Sequence, residues 1–153
     1  MNMTLQQAVE IRTMQPSDLD RVILIEREIF LFPWSPGNFA DSVKAGYLCQ
    51  VLVQADTIFG YGIMMMNPEE AHVLTLGIAA DWQKKGWGRK LLQHFIQLAK
   101  AEYAKSMFLD VRESNHGAAQ LYKQIGFQHI ATRKGYYPAM CGREDALVMQ
   151  LML

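Results

Sequence analysis

Apolar and polar positions alternate or recur along this chain in stretches short enough to place its elements. Val9 to Met14 sets Val, Ile and Met against polar neighbours with period two, the pattern of a half-buried strand. Gln15-Pro16-Ser17-Asp18 then opens a helix, with proline in the first turn and acids at the positive end. Leu19, Val22, Ile23, Ile29 and Phe30 form its buried stripe. Glu26 stands where that periodicity expects an apolar side chain, so its carboxylate lies either at the stripe's edge with its head in water or turned into a cleft. The proline-stiffened Phe32-Pro33-Trp34-Ser35-Pro36 ends the helix, and Asn38 to Lys44 forms a second, short one closed by Gly46.

Two strands follow, Tyr47 to Gln54 and Ile58 to Met66, joined at Ala55-Asp56-Thr57; Asn67-Pro68 turns the chain into a further strand, Val73 to Ala79. Links this short make neighbouring strands antiparallel. From Lys90 to Tyr103, Leu91, Leu92, Phe95, Leu98 and Ala99 recur at helical spacing. Ser106 to Arg112 is a strand with Met107, Leu109 and Val111 on one face and Phe108, Asp110 and Arg112 on the other. Ser114-Asn115 caps a helix carrying Ala118, Leu121, Tyr122 and Ile125, which Gly126 ends. Phe127 to Lys134 and Ala146 to Leu153 are the last strands, separated by a connection from Gly135 to Asp145 that is long enough to line a site. The sum is an α+β chain of about seven strands, mostly antiparallel, and about four helices, expected to form one domain over residues 1–153.

The candidate chemistry begins between the fourth strand and third helix, in Asp81-Trp-Gln-Lys-Lys-Gly-Trp-Gly-Arg89. A helix's first turn presents backbone N–H groups without internal partners and about half a positive charge. Gly86 and Gly88 let the backbone turn sharply and an anion come close, and Lys84, Lys85, Arg89 and Lys90 add charge. A tight connection with a solvated basic face is the plainer reading. No Lys-Ser or Lys-Thr follows the glycines, and no third glycine with an acid about twenty residues on completes a dinucleotide fingerprint. Asp110 is an acid within an apolar strand; it is paired, with Arg112 the nearest candidate, or solvated, or kept for chemistry. Tyr122 lies on the inward stripe of its helix, where a core tyrosine bonded to a carbonyl is equally common.

Composition narrows the function. The 15 Lys and Arg balance the 15 Asp and Glu, so no general affinity for nucleic acid or membrane is implied and the basic cluster at Lys84 to Lys90 is a local feature. Cys49 and Cys141 make neither a disulfide framework nor a metal spacing, and His72, His94, His116 and His129 are scattered, so no metal is assigned. Met1 to Glu10 lacks a basic-then-apolar leader pattern and no apolar run reaches membrane-span length, which with the cysteine usage points to a reducing cytoplasm. The ten methionines suggest flexible core filling or, alternatively, a soft binding surface.

Gln83-Lys84-Lys85-Gly86-Trp87-Gly88 resembles the Gln/Arg-x-x-Gly-x-Gly/Ala signature of the GCN5-related N-acetyltransferases (GNAT). Within that superfamily the chain is most similar to the RimI type, which acetylates the N-terminal alanine of ribosomal protein S18. The likeness extends through Phe32-Pro33-Trp34-Ser35, Asp110 to Asn115, Ala119 to Tyr122 with Gly126-Phe127, Tyr136-Tyr137-Pro138 and Gly142 to Ala146. It implies a layered α/β/α GNAT fold and acetyl-CoA as co-substrate. Lys84, Lys85, Gly86, Trp87, Gly88 and Arg89 would hold its pyrophosphate, Leu76, Gly77 and Ile78 its pantetheine arm through backbone groups, and Asn115 the arm further along. Asp110 would accept the amine proton and Tyr122 would protonate the leaving sulfur. Phe32, Pro33 and Trp34, with Glu26, Tyr137, Glu144 and Asp145, would receive the acceptor peptide, the three acids forming a mouth suited to a cationic terminus.

This sequence departs from the family twice. Glutamate is common where Asp110 stands, which leaves Glu26 and Glu144 as alternative bases, and asparagine is frequent where Gly135 stands. A protein N-terminus is the expected partner, with no nucleic acid or membrane and a monomer or weak dimer as the working form. Another amine acceptor, or a non-catalytic acyl-CoA-binding module, are the competing functions.

Overall fold

Short apolar strands and turn residues build one seven-stranded sheet in a computed structural model that describes residues 8–153. The start of the 1–153 span lies outside the described residues. Strand β1 (Glu10–Thr13) leads through a 3-10 turn into helix α1 (Leu19–Ile29); α2 is Pro36–Lys44. Strands β2 (Leu48–Gln54), β3 (Thr57–Asn67) and β4 (Glu70–Ile78) follow, then α3 (Trp87–Ala101), β5 (Ser106–Arg112), α4 (His116–Ile125), β6 (Gln128–Pro138) and β7 (Arg143–Met152). The sheet order is β1-β2-β3-β4-β5-β7-β6. β4 and β5 are parallel, Glu70–Val73 against Ser106–Leu109, whereas β1–β2, β2–β3, β5–β7 and β6–β7 are antiparallel. This is the mixed, mostly antiparallel α+β architecture that the periodicity anticipated.

Contacts cluster in two units, one reaching to Met64 and resuming over Thr75–Gln93, the other formed by Met65–Leu74 and His94–Leu153. In the first, Val22, Ile25, Phe39, Val51, Leu52, Phe59, Tyr61, Ile63, Leu91 and Leu92 are all fully buried. The β2–β3 turn is closed by Ala55 and Asp56, both at positive φ, as a two-residue hairpin requires to match the strands' twist. In the second, Phe95, Ala99, Met107, Ala146 and Met149 are fully buried. Met14, Met64, Met107 and Met149 fill core space; Met140 and Met152 are exposed.

Several boundaries differ from the expectation; β4, for one, begins at Glu70 and not Val73. Helix α2 starts at Pro36, since Ser35 caps it by accepting from the Asn38 N–H at 3.2 Å. Helix α3 starts at Trp87 and not Lys90, which puts Gly88 inside the first turn, where a helix makes little demand on its residues. The connection expected from Gly135 to Asp145 is mostly strand: β6 runs on to Pro138 and β7 begins at Arg143. Gly135, at φ +56°, sits in a register shift between Arg133 and Tyr137, so it bends the strand without ending it.

Candidate active site

In the first unit, the chain leaves β4 through a 3-10 turn at Ala80–Trp82, and Gln83 Nε2 donates back to the Ile78 carbonyl at 2.8 Å. Trp82 stacks on Phe59 with ring centroids 4.0 Å apart, and Trp87 meets the same ring edge-on at 5.3 Å. These aromatics anchor both ends of a turn whose middle is held open by Lys84 at φ +63° and Gly86 at φ +90°. A Cβ added at Gly86 would meet nothing within 4 Å, so the glycine serves the backbone angle and leaves one face of the turn clear. The Lys90 N–H donates to the Gly86 carbonyl at 3.1 Å; the amides of Trp87, Gly88 and Arg89 thus precede the first helical bond. Lys84, Lys85 and Lys90 are exposed, Lys90 lying 4.6 Å from the Trp87 ring centroid and Lys85 5.9 Å from that of Trp82. An open backbone turn, a helix N-terminus and exposed ammonium groups suit a diphosphate.

On β4, Leu76 is half-buried, while Gly77 and Ile78 are buried. Gly77 lacks a side chain for a reason the sequence does not show: a Cβ there would collide with the Tyr61 hydroxyl. Tyr61 donates that hydroxyl to Glu26 Oε1, and the Trp34 N–H donates to Glu26 Oε2 at 2.9 Å. Glu26 is 2% exposed, which corrects the reading that sets it at the edge of the stripe with its head in water. The periodicity missed its neighbour Ile25, which is fully buried, because the true stripe runs through Val22, Ile25 and Glu26. Burial raises the Glu26 pKa above the usual carboxylate value, and the two donors offset this only in part. Trp34 is half-buried and tilted against Phe39 at 5.2 Å, whereas Phe32 and Pro33 are exposed.

The second unit holds the remaining candidates. Asp110 lies 3.6 Å from Arg133 Nε, a pairing across to β6 that the sequence reading did not offer. Arg112 donates to Glu144 Oε1 at 3.0 Å and to the Pro138 carbonyl at 2.8 Å, its guanidinium 4.4 Å from the Tyr137 ring centroid. The register explains this: Arg112 faces Ala146 on β7, which faces Arg133 on β6, so the shift beyond Arg133 brings Tyr137 opposite Glu144. Glu144 Oε2 accepts from the Ser114 N–H at 2.6 Å; bonds from Ser114, then Arg112, hold its carboxyl below the usual range. Asp145 accepts from the Gly135 N–H at 2.8 Å, which lowers its pKa, with help from Lys134. Glu144 and Asp145 therefore have internal donors, and a mouth built on them is less negative than its residues suggest.

Burial pushes the Tyr122 phenol up to about 12, and that of Tyr137 up to about 12, with the Asp110 carboxylate adding to the latter. Tyr122 is tilted against Phe127 at 6.0 Å. Asn115 caps α4, its Oδ1 accepting from the Ala118 N–H at 3.3 Å. Thus Asp110, Tyr137 and Arg112 gather around the β6–β7 hairpin. Tyr61 and the fastening role of Arg112 escaped the sequence reading. A phenol between Gly60 and Gly62 in an apolar strand was the available signal for the first.

The chain matches the family described as Acetyltransferase (GNAT) family over residues 19–127. It is 34% identical over 141 residues to the [ribosomal protein bS18]-alanine N-acetyltransferase of Escherichia coli strain K12, an alignment covering 92% of this chain and 95% of that one. The crystal structure of the ribosomal-protein-S18-alanine N-acetyltransferase from Escherichia coli superposes with a TM-score of 0.90 at 33% identity, over 95% of this chain and 94% of that one. Arabidopsis thaliana NAA60 in complex with acetyl-CoA shares the fold at 19% identity, with a TM-score of 0.83 over 95% of this chain and 100% of that one. By family match, near-full-length identity and fold together, the chain belongs to the GNAT acetyltransferases and is an N-acetyltransferase.

Proposed function

We propose that this enzyme transfers the acetyl group of acetyl-CoA to the α-amine of the N-terminal alanine of ribosomal protein S18. The observation that carries the reading is the 34% identity, across nearly the whole of both chains, with the Escherichia coli enzyme so named. Acetyl-CoA supplies an activated thioester whose carbonyl the amine attacks. The first-turn amides of Trp87, Gly88 and Arg89, with Lys84, Lys85 and Gly86, hold its diphosphate. Leu76, Gly77 and Ile78 line the arm through their backbone groups, and Asn115 contacts it.

Asp110 takes the amine proton. An N-terminal ammonium has a pKa of about 7.7–8.0, so the base need not be strong. Aspartate is shorter than glutamate by one C–C bond, about 1.5 Å, which favours relay through a water. Tyr122 gives a proton to the departing sulfur, and a pKa pushed up to about 12 keeps the phenol protonated at neutral pH. Transfer is direct: the Cys49 thiol is buried and pushed up to about 11, a poor nucleophile, and Cys141 lies exposed outside any activating motif. Phe32, Pro33, Trp34 and Tyr137 receive the peptide. The working form is a cytoplasmic monomer or weak dimer acting as one domain, without nucleic acid or membrane; no described helix is long and apolar enough to cross a membrane.

Incubating the enzyme with acetyl-CoA and the S18 amino-terminal peptide should add one acetyl group to its α-amine, read by mass spectrometry. A lysine peptide with a blocked terminus, and spermidine, should stay unmodified. Acetylation of either in preference to the S18 peptide would overturn the acceptor assignment.

A further inference from the structure

We infer that Glu26 and Tyr61 form a buried clamp fixing the Phe32–Ser35 loop against the Gly77 segment of β4, so that Glu26 is a positioning residue for the acceptor and not its base. The inference rests on the reading above that this loop receives the peptide. One carboxylate joins two places far apart in sequence: Oε2 accepts from the Trp34 N–H at 2.9 Å, Oε1 from the Tyr61 hydroxyl. Tyr61 is fully buried, and its hydroxyl fills the space a Gly77 side chain would need. Phe39 braces the line from both sides, edge-on to Tyr61 at 5.8 Å and tilted on Trp34 at 5.2 Å. The chain of contacts runs from the Trp34 backbone through Glu26 and Tyr61 to Gly77, all within the first unit.

A base must have room to accept the substrate's proton, and Glu26 is 2% exposed with each oxygen already accepting a hydrogen bond from a protein donor. Tyr61 stays a donor, since burial first and the Glu26 charge second raise its pKa far above the ordinary phenol value. Moving the loop relative to Gly77 would shift the amine relative to the acyl carbon, and misplacement by about 1 Å costs up to about a hundredfold in rate.

The conservative and the deleting variants separate the two roles. In Glu26→Gln the side-chain carbonyl still accepts from the Trp34 N–H and its NH2 donates to the Tyr61 oxygen, so the clamp persists although the carboxylate is gone. Glu26→Ala should speed hydrogen exchange of the Trp34 amide by about tenfold or more, the loss of a part-buried bond. It should also lower kcat/KM for the acceptor by about tenfold while leaving acetyl-CoA affinity within about twofold. Glu26→Gln should restore most of both losses and keep the parent pH profile, and Tyr61→Phe should fall between the two, serving as the test if Glu26→Ala does not fold. Trp34 exchange unchanged in Glu26→Ala and Tyr61→Phe would overturn the clamp. A Glu26→Gln enzyme as slow as Glu26→Ala, with its rising pH limb flattened, would make Glu26 the base. Exchange needs no acceptor, so failure to acetylate the S18 peptide alongside the expected exchange rates would count against the acceptor assignment alone.

Discussion

At the scale of single residues, Asp110 and Tyr122 answer to different tests because the proposed mechanism gives them different protons. Tyr122→Phe removes one hydroxyl and little else, its ring contact with Phe127 being kept. It should lower kcat by about 10²- to 10⁴-fold, as loss of a general acid does, with acetyl-CoA affinity nearly unchanged. Asp110→Asn should flatten the rising limb of kcat/KM with pH, and an unaltered profile would move the base elsewhere. Glu144, held by Arg112 and the Ser114 N–H, is a poor substitute. Asp110 stands out in the sequence because it interrupts an apolar strand, whereas Tyr122 lies on an apolar stripe as a core tyrosine would and is a candidate through the family resemblance alone. The partner of Asp110 was not legible. Arg133 lies 23 positions beyond Asp110, and only the register of β5, β7 and β6 makes them neighbours. Glu26 shows the same limit from the other side: helical period located the residue within the stripe, but its burial depends on a tyrosine from β3 and an amide from the following loop.

Among the elements, the hairpin of β6 and β7 carries the clearest consequence. Gly135 is at φ +56°, and a Cβ there would be no nearer than 3.8 Å to Arg143, so conformation and not space sets the cost of replacing it. Asparagine tolerates this region and β-branched residues do not. Gly135→Asn should therefore stay within about 0.5 kcal/mol of the parent, whereas Gly135→Val should cost about 1–2 kcal/mol in denaturant unfolding. Equal losses for the two would mean that the bulge is set by the surrounding bonds, the Gly135 N–H to Asp145 and Arg143 to the Gly135 carbonyl at 2.6 Å. The same glycine explains why this hairpin was read as a long connection. A glycine within an alternating run signals a break or a bulge with equal force, and what decides is cross-strand pairing, absent from a linear pattern. Helices α1 and α4 were legible to within a few residues, since proline, Asn115 and Gly126 mark their ends by local chemistry alone, whereas the Ser35 cap that starts α2 was not read.

For the molecule as a whole, a formal charge of zero joined to a basic turn at Lys84 to Lys90 predicts selective attraction for a compact polyanion and no general affinity for extended ones. Binding to the folded state alone must raise stability: acetyl-CoA at a hundred times its Kd should add about 2.7 kcal/mol. For a chain of this length that is a rise in Tm of roughly 5–11 °C. Gly86 decides whether the turn is responsible. Because a Cβ there meets nothing within 4 Å, Gly86→Val acts chiefly through its φ of +90°, which valine resists. The variant should lose about 1–2 kcal/mol without ligand, as the turn yields to a permitted angle, and should lose most of the acetyl-CoA shift with it. Added salt should shrink the parent's shift, since the lysines are exposed and their attraction is screened beyond about 8–10 Å. A Gly86→Val protein that keeps the full shift would place the diphosphate somewhere other than the turn between β4 and α3.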